Sequence, residues 1–290
     1  MSTILVTGST GSLGTATIEF LLEKGSEHTI IGLARDEDKA ASLKQKGAEI
    51  RMGNYDDPES LEKAFQGVDK LFFISASEIG SRVEQHKNVV EAAKKADVDH
   101  VVYTSFQRKT NDESSPIWMV AESHLHTEKW LEESELDYTF LKNNLYMDFV
   151  PMFIGENVVE QGTVYIPAGE GKMACVLRDE MAEASANVLL GEGHKNTSYT
   201  FSNSENYGFD EVASILSEIS GKDIGYVSPE VDEYTKTMKD AGVPEEAIGM
   251  TVGFAQAIEQ GEINETSSDL EELLGRKPVS LEDFLKQAYS

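Results

Sequence analysis

The sequence predicts an α/β fold, a doubly wound parallel sheet followed by a smaller, mostly helical C-terminal region. Three observations carry this reading. Short apolar runs alternate with amphipathic stretches from the N-terminus to residue 141, as parallel strands and their crossover helices do. The runs are apolar throughout, which suits strands covered on both faces. The first run ends in three spaced glycines that open directly into a helix.

Taken in order, Ser2 to Thr7 is a β-branched apolar run that turns through Gly8-Ser9-Thr10-Gly11-Ser12-Leu13-Gly14. Gly8 suits the tight turn, Gly11 lets backbone approach a pyrophosphate, and Gly14 lets the helix lie close to the strand. The helix start then directs unpaired N–H groups and the positive end of its dipole at an anion. Glycine-rich turns are common in proteins of any function. Strand before, helix after and the same alternation downstream make this one a dinucleotide (Rossmann) site. Gly8, Thr10, Gly11, Ser12, Leu13 and Gly14 are its candidate residues.

The helix carries Leu13, Thr17, Phe20 and Leu21 at helical spacing and closes at Lys24-Gly25. Thr29 to Ala34 is the second strand, and Arg35 stands at its end, about 20 residues past the glycines, where such folds contact the adenine ribose. An acid there would take a 2′-hydroxyl and repel a 2′-phosphate. Arg35 offers a permanently charged donor fork instead, so NADPH is favoured and NADH is the second option. A surface arginine paired with Asp36 or Asp38 is the structural alternative.

Ala48 to Met52 is a third strand, and Asp56-Asp57-Pro58 opens a helix to Phe65. Asp69 to Ile74 is a fourth, running into Ser75, Ala76 and Ser77, small residues that permit close approach of a ribose or nicotinamide. Val83, His86, Val90 and Ala93 form a helical face on which His86 reads as a half-buried packing residue. His100 to Ser105 is a fifth strand, residues 118–134 form an amphipathic helix, and Asp137 to Leu141 is a sixth strand leading into Asn143 and Tyr146. Ligand belongs at the carboxyl ends of these strands.

Beyond residue 150 the regularity loosens. Residues 1–150 read as the nucleotide-binding domain and 151–290 as a smaller cap for substrate, with some later segments returning to the first. Strands are expected at 163–166 and 198–201, helices from Arg178 to Leu190 and Phe209 to Ile219, and mostly helix from Glu230 to Ser290. Met238, Met250 and Phe254 read as cap core, or as the wall of an apolar pocket.

A formal charge of −27 argues against a nucleic-acid surface, which needs clustered lysine and arginine. No run is long enough for a membrane helix. The single cysteine, Cys175, rules out an internal disulfide and suits a reducing cytoplasm. With no leader-like segment before the first strand, cytoplasmic localisation is expected. No spacing points to a metal or to a Ser-His-Asp arrangement. A homo-oligomer is compatible with the sequence.

The glycine motif, the segments 67–75 and 100–105, Thr127-Glu128-Lys129, 138–143, Gly169-Glu170-Gly171-Lys172, Ala241 to Pro244 and 266–270 together resemble the NmrA-like group of atypical short-chain dehydrogenases. Within that group they resemble the quinone and triphenylmethane-dye reductases over the whole chain. The resemblance implies NADPH at Gly8–Gly14 and Arg35, with the acceptor in a cleft between domains. It also implies Ser75–Ser77, Lys129, Asn143 and Tyr146 near the ribose and nicotinamide, and the Gly169–Lys172 loop nearby. Lys129 would hydrogen-bond the ribose, and Asn143 or Tyr146 would orient the acceptor or carboxamide.

One departure bears on the chemistry. Short-chain dehydrogenases use Tyr-x-x-x-Lys, but Leu125 stands four residues before Lys129. Reducing a simple ketone makes a strongly basic alkoxide and needs a positioned acid. Reducing a quinone makes a phenolate-like oxygen, and a phenol has a pKa of about 10, so water can protonate it. The expected activity is therefore hydride transfer from NADPH to a quinone or similar conjugated acceptor without a tyrosine general acid. Alternatives are dye reduction, or a non-catalytic sensor of NADP(H).

Overall fold

The computed structural model describes residues 1–25, 27–155 and 157–289. Its elements are β1 (Thr3–Val6), α1 (Ser12–Lys24), β2 (Thr29–Ala34), α2 (Ala41–Lys46), β3 (Glu49–Met52), α3 (Pro58–Phe65), β4 (Lys70–Phe73), α4 (Arg82–Lys95), β5 (His100–Phe106), α5 (Trp118–Glu133) and β6 (Asp137–Asn143). They continue as α6 (Val150–Ile154), α7 (Val158–Gln161), β7 (Thr163–Tyr165), β8 (Lys172–Met173), α8 (Arg178–Leu190), β9 (Thr197–Phe201), β10 (Tyr207–Gly208), α9 (Phe209–Ser220) and β11 (Gly225–Val227). Helices α10 (Val231–Asp240), α11 (Glu245–Glu259), α12 (Asp269–Leu274) and α13 (Leu281–Tyr289) complete the chain, and Ser290 lies outside the described residues.

The main sheet is parallel, with strand order β3-β2-β1-β4-β5-β6-β9. The chain order reverses between β1 and β4, which opens the crevice where ligands bind in such sheets. Leu5, Ile31, Phe72, Val102 and Leu141 are fully buried, as the uninterrupted apolar runs require. The sheet has seven strands where the regular alternation gave six. The seventh, β9, comes from beyond residue 150 and joins β6 in the register Leu141↔Tyr199.

Helix α8 also returns to this layer. Met181 and Val188 share a core with Leu13 and Leu21 of α1, and Lys24 bridges to Glu183 at 2.9 Å. Lys70 seals the end of α8, its Nζ donating to the carbonyls of Leu189 at 2.9 Å and Gly191 at 3.0 Å, which have no partner in the last helical turn.

A second core joins the segment after β6 to α9, α11 and α13 through Phe153, Phe209, Val212, Leu216, Ile258 and Leu285. Its attachment to the strand ends is polar. The buried Glu262 carboxylate accepts from the N–H groups of Lys109 (3.1 Å) and Thr110 (2.9 Å) and from the Thr110 hydroxyl (2.5 Å). Asn144 Nδ2 donates to Gln107 Oε1 at 2.9 Å and to the Ile263 carbonyl at 3.0 Å. A buried carboxylate is tolerable only when satisfied in this way, so these bonds fix how the C-terminal part sits on β5 and β6. Among the described residues no helix is long and apolar enough to cross a membrane.

Candidate active site

A cleft of about 430 Å³ lies over the carboxyl ends of β1, β2 and β4. The glycine loop forms its floor. Gly8 has φ +57°, a conformation costly for any residue with a Cβ. A Cβ on Gly14 would lie 2.3 Å from the Gly8 carbonyl oxygen, so α1 rests directly on the turn. The loop shape is fixed from outside: Ser9 Oγ donates to the Leu33 carbonyl at 2.7 Å, and Thr15 Oγ1 to the Ser9 carbonyl at 2.8 Å. No side chain caps the N-terminus of α1, which leaves its first N–H groups open toward the cleft. This cradle fits a dinucleotide pyrophosphate.

Gly8, Thr10, Gly11, Ser12, Leu13, Gly14, Arg35, Ser75, Ala76, Ser77 and Tyr146 all line the cleft. Arg35 is two-thirds exposed at the rim, and its partner is neither Asp36 nor Asp38. Glu78 stands 3.5 Å from it, an exposed and weak pair that leaves the guanidinium available to a phosphate. Gly53, Asn54 and Tyr55, after β3, line the same side. Tyr55 is held by its hydroxyl, 2.7 Å from the Ile74 carbonyl, and burial pushes its phenol pKa up.

The Ser75–Ser77 segment is tied down by the layer behind it. Thr104 Oγ1 accepts from Ser75 N at 2.8 Å, and His86 Nε2 accepts from Ala76 N at 2.9 Å. Since Nε2 accepts, the His86 proton belongs on Nδ1, 2.8 Å from Thr127 Oγ1, which donates onward to the Ser123 carbonyl at 2.6 Å. Burial, aided by the positive field of Arg82, pushes His86 down to about 3, so the ring stays neutral and the tautomer is fixed. His86 is fully buried rather than half-buried, and it positions the cleft wall. Behind it, the Tyr103 hydroxyl lies 2.8 Å from His124 Nδ1, and burial keeps Tyr103 protonated and His124 neutral.

The structure does not bring Lys129 to the cleft. Helix α5 turns Ser123, His124, Thr127 and Leu131 inward, which puts residue 129 on the opposite face. Lys129 is two-thirds exposed, and its Nζ is 3.7 Å from Glu133. The neighbouring Glu128 does face inward, paired with Arg108 at 2.6 Å and bonded to the Ser105 hydroxyl. Asn143 is buried beside Tyr146 without lining the cleft, and its Oδ1 has no hydrogen-bond partner. The Gly169–Lys172 loop stands apart as well: Glu170, Gly171 and Lys172 line a separate shallow depression with Lys109 and Gln260.

Two contributors were not legible in the local sequence. Arg178, at the start of α8, lines the cleft with its guanidinium 4.9 Å from the Tyr146 ring centre and 5.2 Å from that of Phe149. Its place depends on α8 returning to the first layer, which no nearby motif announces. Gln85 lines the cleft from α4, with Nε2 bonded to Asp56 at 3.0 Å and Oε1 buried without a partner. Burial raises the Tyr146 phenol, against a hydrogen bond from Asn143 and the fields of Arg178 and Arg82.

An open-sheet cleft over a glycine turn, with an exposed arginine at its rim, defines the class, and comparison with known proteins gives the lineage. The chain belongs to the NmrA-like family, whose model matches residues 1–285. It is 31% identical over 287 residues to quinone oxidoreductase 2 of Escherichia coli, covering 99% of each protein. The crystal structure of that Escherichia coli NADPH-dependent quinone oxidoreductase complexed with NADPH matches with a TM-score of 0.92 over 99% of this chain and 100% of the other. Triphenylmethane reductase of Citrobacter sp., complexed with NADP(H), matches with a TM-score of 0.90 at 41% identity, over 98% of this chain and 99% of the other.

Proposed function

We propose that this protein reduces quinones, or similarly conjugated acceptors, by hydride transfer from NADPH without a tyrosine general acid. That it is an NAD(P)H-dependent oxidoreductase follows from its family and from the two reductases, one complexed with NADPH and one with NADP(H), that it matches over nearly its whole length. The cofactor, when bound, supplies the hydride. The chain's own residues do the rest: the α1 start and Gly8–Gly14 receive the pyrophosphate, Arg35 receives the 2′-phosphate, and Ser75–Ser77 leave room for the ribose and nicotinamide.

The observation that carries the acceptor assignment is Leu125 in the place of the short-chain-dehydrogenase tyrosine, with Lys129 turned out to solvent. Tyr146 lines the cleft on its β6 side, and with its phenol raised by burial it keeps its proton and offers a hydrogen bond to an acceptor oxygen. A quinone's phenolate-like product asks no more than such a donor, whereas an alkoxide needs the positioned acid that is absent four residues before Lys129. Phe149 with the Arg178 guanidinium over its ring offers a flat wall for a conjugated acceptor. Rate then comes from placement and exclusion of water. Steady-state oxidation of NADPH and of NADH by a small neutral quinone tests this reading. NADPH-preferring turnover is expected, and tight NADPH binding with no turnover on any quinone or dye would replace it with a cofactor-sensing role.

A further inference from the structure

Among the described residues, the charged side chains that line the cleft are Arg35, Glu78 and Arg178. Arg35 and Glu78 face each other at the rim, while Arg178 stands apart from them with Tyr146 and Phe149. Its guanidinium has no hydrogen bond and no carboxylate within ion-pair distance among the described residues. The chain holds 52 acidic side chains against 25 basic ones, so a cation without an acid beside it runs against composition. The acids closest in sequence are committed elsewhere. Asp148 accepts from the Arg178 backbone N–H at 3.0 Å, which serves the start of α8 and not the side chain. Glu180 is buried and taken by Arg276 and by the Val279 N–H at 3.0 Å.

What holds the guanidinium is aromatic. Its centre lies 4.9 Å from the Tyr146 ring centre and 5.2 Å from that of Phe149, and the two ring centres are 5.5 Å apart. These three centres form a nearly equilateral triangle, so the cation caps the pair of rings from one side. Such contact answers part of the charge but none of the N–H donors, which lie in the guanidinium plane and point outward from its edge. Nε is buried without a partner, whereas the two terminal nitrogens are neither buried nor bonded, so their donors open to the cleft. An open donor edge suits an anion, and the anions of the cofactor are placed elsewhere. In the proposed function the 2′-phosphate lies at Arg35 and the pyrophosphate at the start of α1. The nicotinamide brings no negative charge and becomes cationic on giving up its hydride. The remaining source is the acceptor, which lies along the same wall.

We propose that Arg178 selects acidic acceptors: a quinone or similarly conjugated ring carrying a carboxylate or sulfonate, which pairs with the open guanidinium edge while the ring lies along Phe149. This rests on the hydride-transfer reading of the site. The acidic group keeps its charge before and after reduction, so the contact strengthens ground state and transition state alike and shows in KM, not in kcat. With a net charge of −27 the molecule as a whole repels anions, so only a local cation makes an acidic acceptor the better one.

The test uses a naphthoquinone with a propionate side chain and its methyl ester; the methylenes insulate the ring, so the two acceptors have similar reduction potentials. A charge-assisted hydrogen bond at a partly exposed site should give wild type a KM about tenfold lower for the acid than for the ester at low salt. In Arg178→Met, which keeps an apolar wall, that preference should vanish or invert, and Arg178→Lys should retain part of it. A second readout uses wild type alone, so it does not depend on a variant folding. Added salt should raise KM for the acid and leave that for the ester unchanged. General repulsion by the acidic surface gives the opposite signs: the ester is favoured at low salt, and salt lowers KM for the acid. That pattern, or equal KM values for the two in wild type, would overturn the proposal. Titration of NADPH and of NADH by nicotinamide fluorescence locates the anion. If Arg178→Met weakens both dinucleotides alike and leaves the acid-to-ester ratio unchanged, the arginine serves the pyrophosphate and the proposal fails. Wild type that turns over neither quinone would instead remove the hydride-transfer reading on which it rests.

Discussion

Replacing Gly14 by alanine should separate cofactor binding from folding. The added Cβ would sit 2.3 Å from the Gly8 carbonyl oxygen, 2.8 Å from its carbon and 2.9 Å from Ser9 Cα, all backbone atoms that cannot swing aside. Reaching even 3.0 Å from that oxygen moves α1 off the turn by roughly 0.7 Å. Overpacking of this size costs about 1–3 kcal/mol, offset by about 1 kcal/mol from the better helix propensity of alanine. With an unfolding entropy of about 2.1 cal/mol/K per residue, a net loss of about 0–2 kcal/mol lowers Tm by at most about 3 °C. Binding suffers far more, because the displaced N–H groups at the helix start no longer meet the pyrophosphate. Losing one charge-assisted hydrogen bond, at about 1.5–3 kcal/mol, weakens NADPH by about 10- to 150-fold. Differential scanning fluorimetry and NADPH fluorescence titration measure the two effects. Gly11→Ala is the companion: its Cβ meets only the Gly8 oxygen, at 3.3 Å, so Tm should hold while NADPH weakens. Wild-type NADPH affinity in Gly14→Ala would refute the placement of the pyrophosphate.

Two further outcomes follow from the same geometry. Arg35→Ala should raise the Kd for NADPH about tenfold and that for NADH less than about twofold, the effect on NADPH shrinking at high salt because Arg35 is exposed; equal losses would mean that Arg35 is not the 2′-phosphate ligand. The buried histidines should make the fold acid-sensitive. His86 and His100 are pushed down, chiefly by burial, to about 3 and about 4, so between those values and the unfolded value of 6.5 the unfolded chain binds more protons. Stability is then complete above about pH 6.5 and falls as the pH drops toward 4, by up to about 1.4 kcal/mol per pH unit for each histidine. Tm should fall clearly between pH 7 and pH 5, and a flat profile would contradict the neutral, buried assignment.

How much of this was legible depended on how local the signal was. The turn from Thr7 to Gly14 could be read because steric demands on adjacent residues impose it. The Arg35 position could be read because strand length sets it relative to the glycines. Ser75–Ser77 followed from the apolar run that precedes them. Lys129 was misplaced for a reason of phase: its motif names a helix but not the face that turns inward, and in α5 that face carries Thr127 and His124. The places of Arg178 and of the seventh strand in the first layer depend on the chain returning to it well after β6, a long-range event with no local marker.

The most direct test of the central claim sets a neutral quinone against an unactivated ketone of similar size, following loss of nicotinamide absorbance with NADPH as donor. A site with a hydrogen-bond donor but no general acid should turn over the quinone and leave the ketone untouched at every pH where the fold is intact. Comparable reduction of the ketone would show that the cleft does supply a proton, and would contradict the account.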